Sequence, residues 1–136
     1  MKLTSPEEAE AAFYAAFEHT DVDAMMAVWA DDQDIVCIHP HGPMLVGRRA
    51  IKQSWRAIFE HSFGMKFSIG GQLLTQSGSV AVHLVYEHIQ LVGDEQQRHT
   101  VIATNAYRLT DAGWCMILHH ASPAPDADEI PRAALH

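Results

Sequence analysis

The sequence predicts an α+β domain in which three N-terminal helices cover one side of a curved antiparallel sheet. Three observations carry that expectation. Apolar residues recur at helical spacing in the N-terminal half, the period changes to extended runs from about Met65, and turn residues separate four such runs.

The elements follow in order. Ser5-Pro6-Glu7-Glu8 opens a first helix: Ser5 can cap, Pro6 suits the first helical position, and Glu8 sits where a capping box places its acid. Ala9, Phe13, Ala16 and Phe17 then share one face until about His19. Asp21 can cap a second helix carrying Val22, Met25, Met26 and Trp29, which Asp31-Asp32 ends. Residues 34–39 are short, rich in branched side chains and stopped by Pro40, so they read as a strand. His41-Gly42-Pro43 is a turn, and Gly47 precedes a third helix striped by Ile51, Trp55, Ile58 and Phe59. Four long runs follow, over 66–75, 79–92, 96–109 and 114–121, with Gly93-Asp94 and Asp111-Ala112-Gly113 as turn material.

With 136 residues, 48% apolar and 19% charged, the chain suits one domain, placed at 1–123, with a tail at 124–136 that contains Pro125 and Pro131 and is expected to be poorly ordered or to dock late. Acidic residues outnumber Lys and Arg 17 to 9, a balance that repels phosphate backbones, so nucleic acid is not an expected partner. The local basic group Arg48, Arg49, Lys52 and Arg56 reads first as a solvated helix face and second as an anion or partner patch. Cys37 and Cys115 lie in apolar runs and read as buried thiols. No stretch approaches the roughly 20 apolar residues that cross a bilayer, and the first residues lack an apolar signal core. A cytoplasmic protein without membrane contact is the expectation.

A sheet covered on one side should alternate apolar and polar residues. Residues 80–86 and 115–118 are apolar on both faces, which asks for cover on the second face. The economical source is another copy, so a homodimer through the sheet is expected.

The order of elements resembles the nuclear transport factor 2-like superfamily, whose cone-shaped sheet wraps around three helices. Ile38-His39-Pro40 followed by Gly47, Ile51 and Trp55 resembles the approach to the third helix of SnoaL-like domains. Thr104-Asn105-Ala106-Tyr107, Gly113-Trp114 and His119-His120-Ala121-Ser122-Pro123 resemble their last hairpin. That hairpin is also similar to the association domain of calcium/calmodulin-dependent protein kinase II, where a His-x-Ser motif matches His120 and Ser122. The resemblance implies a pocket at the open end of the cone. An arginine of that pocket matches Asn105, which implies that Asn105 faces inward with Val101, Ala103 and Tyr107. By the same comparison Tyr86, with Leu84 and His88, and His120, with Leu118 and Met116, face inward, and His39 matches an acidic position.

The expected site is therefore His39, Tyr86, Asn105 and His120, walled by Met25, Trp29, Trp55 and Tyr107. His39 and His120 are the candidate proton carriers, since imidazoles exchange protons near neutral pH. Asn105 and Tyr86 could orient a carbonyl. For each polar member the competing role is a buried structural hydrogen bond, and for the two tryptophans it is core packing. Isomerase-like relatives use an inward Asp. Glu87 falls on the opposite parity from Tyr86, so a histidine would have to replace that acid. One bulge in these strands would reverse the parity.

No cofactor or metal is expected: His39 and His41 straddle a proline, His119 and His120 point to opposite faces, and His83 and His88 differ in parity. Three functions stay open. They are a pocket for a small hydrophobic carbonyl compound, a non-catalytic oligomerisation module, and an isomerase, dehydratase or cyclase with a histidine proton carrier.

Overall fold

The computed structural model describes residues 2–62, 64–92 and 94–125, so all of the tail but its first two residues lies outside the described residues. Its first helix, α1 (Pro6–Glu18), starts as the sequence predicts: the Ser5 hydroxyl accepts from the Glu8 amide at 3.1 Å. The Glu8 carboxylate reaches back to Thr4, accepting from its hydroxyl at 2.6 Å, so the reciprocal half of the box falls one residue earlier than expected. Asp21 caps α2 (Val22–Val28) through the Ala24 amide at 3.0 Å. Trp29 has left the helix with extended backbone and forms an isolated bridge to Met116.

Strand β1 (Val36–Ile38) is followed by β2 (Leu45–Val46), a two-residue strand the sequence reading omits because two residues carry no period. Helix α3 (Arg48–Glu60) then precedes the meander β3 (Met65–Ser77), β4 (Val80–Leu91), β5 (Asp94–Thr110) and β6 (Gly113–Pro123). Asp94, expected in a turn, already pairs with Leu91. The six strands lie in the order β2-β1-β6-β5-β4-β3, antiparallel except for β1 beside β6. All three helices cover the concave face, where the apolar core collects. No helix among the described residues is long and apolar enough to cross a membrane.

Arg48 departs from the basic face expected of α3. Its guanidinium donates to the carbonyls of Met26, Trp29 and Ala30 at 3.0–3.1 Å, satisfying acceptors that the end of α2 leaves free. Arg49, Lys52 and Arg56 are exposed, as a solvated face requires.

Two irregularities set which side chains meet the helices. In β3 the register shifts between Gly70 and Leu73, and Gly71 takes a positive φ of 58° there. A side chain at that position would strike the Tyr86 ring, with Cβ only 2.5 Å from Cδ2. Between β5 and β6, Ala106 pairs with Leu118 but Tyr107 pairs with Met116, so one extra residue sits in β6. Met116 therefore faces the core on one side of the bulge and His119 on the other.

Candidate ligand site in the sheet interior

Helix α1 supplies the first polar groups. Glu10 and Tyr14 are one turn apart and share the face that carries Ala9, Phe13 and Phe17 into the core. Along β4 the inward residues are Ala81, His83, Val85 and Glu87, and opposite them β5 presents Tyr107, Asn105, Ala103 and Val101. The placement of Asn105 and Tyr107 agrees with the sequence reading. That of β4 is reversed: Tyr86 is 42% exposed on the outer face with Leu84 and His88, whereas Glu87 is 2% exposed and points inward. The β6 bulge likewise puts His120 outside and His119 inside, the latter 1% exposed.

The inward groups form one directed chain. Tyr14 donates its hydroxyl hydrogen to Glu87 Oε2 at 2.6 Å, and Asn105 Nδ2 donates to the Tyr14 oxygen at 2.9 Å. With its amide nitrogen so committed, Asn105 offers Oδ1 as an acceptor, and His119 Nδ1 lies 2.6 Å from it. The proton of neutral His119 is thus on Nδ1, which leaves the lone pair on Nε2. Burial pushes Glu87 up to about 7, against the pull of the Tyr14 hydrogen bond. Burial, and then the charge of Glu87, holds the Tyr14 phenol far above its ordinary value. His119 is pushed down to about 3, chiefly by burial and further by its imidazole neighbours His39 and His120. It stays neutral at physiological pH.

His39, half-buried at the end of β1, completes the group. Ser54 spends its hydroxyl hydrogen on the Ile51 carbonyl at 2.7 Å, so its oxygen accepts from His39 Nε2 at 3.0 Å. Burial lowers His39 to about 4. Its ring lies edge-on to Trp55 at 4.7 Å and 6.3 Å from the ring of His119. Cys37, whose sulfur is 3.5 Å from His39 Nε2, is pushed up to about 12 by burial and then by Glu87, so it stays a thiol. Cys115 is also buried and free.

A second buried pair lies beside this chain. His83 Nδ1 donates to Glu10 Oε2 at 2.6 Å, Gln72 donates to the other Glu10 oxygen at 2.7 Å, and the His83 ring stands 5.0 Å from that of Tyr107. The remaining expected wall residues, Met25, Trp29 and Trp55, are all buried in the core beneath the helices. Trp55 packs among Phe13, Phe17, Phe59, His39 and His119, whereas Trp29 is placed by its bridge to Met116.

The sequence reading missed Glu10, Tyr14, His83, Glu87 and His119. A signal for the first two was available, because Glu10 and Tyr14 interrupt an apolar helical face. Once β4 is phased on Asn105, His83 and Glu87 follow by alternation. A cleft of about 330 Å³, lined by Ile58, His61, Met65 and Leu91 among others, lies at the end of the sheet where β3 begins and β4 ends.

The family of SnoaL-like domains matches residues 7–126. Among solved structures, a proposed calcium/calmodulin-dependent protein kinase type II association domain from Thiobacillus denitrificans is 39% identical. The match covers 92% of this chain and 99% of that one, with a TM-score of 0.86. A proposed dehydratase of the nuclear transport factor 2-like family from Streptomyces avermitilis is 30% identical over 86% of this chain and 91% of its own, with a TM-score of 0.79. A ketosteroid isomerase-like protein from Erwinia carotovora atroseptica, 21% identical, shares the fold at a TM-score of 0.70 over 88% and 94% of the two chains. The F-box protein SKIP8 of Arabidopsis thaliana is 23% identical over 81% of this chain, which spans 46% of that protein's length.

Proposed function

The chain belongs to the SnoaL-like domain family, and on that premise we propose that it binds a small, hydrophobic, carbonyl-bearing molecule inside the cone, against His39 and His119. The observation that carries this reading is the buried chain Glu87–Tyr14–Asn105–His119. Burying four polar groups in a row is costly unless each is satisfied. This row ends on an imidazole whose Nε2 carries the lone pair that a ligand would meet. Tyr14, Asn105 and Glu87 are positioning residues that hold His119 in one tautomer.

The same arrangement favours proton transfer next to a carbonyl. His119 Nε2 would take a proton from the α-carbon of a β,γ-unsaturated ketone, and the electron pair would pass to the oxygen as a dienolate. The imidazolium, which burial disfavours and the adjacent dienolate charge offsets, would return the proton at the γ-carbon. His39 would be the second imidazole in contact with the substrate.

A different reading, an assembly module, is favoured by the likeness to the Thiobacillus protein and by the outer face of the sheet. There Leu73 (65%), Leu84 (39%) and Tyr86 (42%) are exposed together, and Leu73 pairs directly with Leu84. We assign that face to a second copy of the chain. Native mass spectrometry of the purified protein tests both readings. A dimer that releases small-molecule mass on denaturation is expected. A large bare ring would favour the assembly module, and a bare monomer at micromolar concentration would contradict both.

A further inference from the structure

Trp29 Nε1, Trp55 Nε1 and the Tyr107 hydroxyl are buried without a hydrogen-bond partner among the described residues. Each carries a hydrogen to donate, and an unmet buried donor costs about 1–3 kcal/mol. Trp55 is the one placed at the candidate site. Its side chain is fully buried, with its ring 4.7 Å from that of His39 and 5.9 Å from that of His119. Neither imidazole serves it, since the indole nitrogen has no acceptor nitrogen of either ring within hydrogen-bond reach.

We propose that the Trp55 indole N–H is the specificity-determining donor of this site, reserved for the acceptor oxygen of a neutral ketone or aldehyde. The inference rests on the interior binding reading above and adds which oxygen chemistry is selected. A carboxylate ligand would fit poorly, because the carboxyl groups of Glu10 and Glu87 already share this interior. A hydrocarbon of the same shape would leave the indole unmet. A ketone satisfies the N–H without bringing a hydrogen that needs an acceptor of its own.

Acetophenone and ethylbenzene are a matched pair of probes, alike in size and differing in the carbonyl. Titration of each into the wild-type protein, followed through the Trp55 indole resonance in a ¹H–¹⁵N spectrum, is the test, repeated for affinity with Trp55→Phe. Acetophenone is expected to move that resonance downfield, and ethylbenzene is not. Trp55→Phe should weaken acetophenone about 10-fold while changing ethylbenzene by less than about 2-fold. Equal losses for the two probes, or an indole resonance indifferent to the carbonyl, would overturn the role of Trp55 and leave the interior pocket standing. If neither probe binds the wild-type protein, the pocket reading falls and this inference with it. Should Trp55→Phe fail to fold, the wild-type resonance alone decides.

Discussion

Replacing Tyr14 with phenylalanine is expected to destabilise the protein by about 3 kcal/mol in urea unfolding at pH 6. The ring itself is kept, so its edge contact with Phe13 at 4.8 Å and its packing on Phe67 at 6.1 Å survive. The loss is confined to one oxygen that accepts from Asn105 and donates to Glu87. Two buried groups are then left short of a partner, each worth about 1–3 kcal/mol. Glu87 also loses the hydrogen bond that holds its pKa down, so it rises further and stays protonated over a wider pH range. A loss below about 0.5 kcal/mol, the size of an ordinary surface change, would mean that the hydroxyl is not part of a buried chain.

Glu87→Gln should act in the opposite direction, with an effect that grows as pH rises from about 4.5 to 7. The folded-state value of about 7 lies above the ordinary 4.5 of a glutamate, so the native state holds this proton more tightly than the unfolded chain does. The associated stability is fully present below about 4.5 and is lost as pH rises through 7. Glutamine keeps the shape and an oxygen for the Tyr14 hydroxyl, but has no proton to lose. The two proteins should differ little at pH 5, and by pH 8 the variant should be more stable by about 3 kcal/mol. The depressed imidazoles, His39 at about 4 and His119 at about 3, contribute stability that is present above their ordinary 6.5 and lost as pH falls through those values. That contribution is common to both proteins and cancels in the difference. Parallel pH–stability curves for the two proteins would show that Glu87 is not desolvated in the native state.

The helices were legible because their signals are local. Caps at Ser5 and Asp21, and the stripe Ile51, Trp55, Phe59, depend on neighbours within a turn or two. The strands were legible as strands, and β5 was phased correctly from Asn105. The site was not, for two physical reasons. Residues 80–86 are apolar on both faces, since the outer face is apolar too, so alternation could not decide whether Tyr86 or Glu87 points inward. In β6 a single extra residue between Met116 and Leu118 swaps His120 for His119, and nothing in the sequence announces that bulge. The inward carboxyl group, Glu87, stands one position from where the expected site placed Tyr86.

The most direct test of the interior chain is the protonation state of His119, read from ¹⁵N chemical shifts of its ring between pH 5 and 8. The chain predicts a neutral imidazole with its proton on Nδ1 at every pH in that range in the ligand-free protein, because Asn105 Oδ1 needs a donor and burial disfavours the charge. A midpoint near 6.5, or a proton on Nε2, would contradict it, since the lone pair offered to a ligand would then be absent.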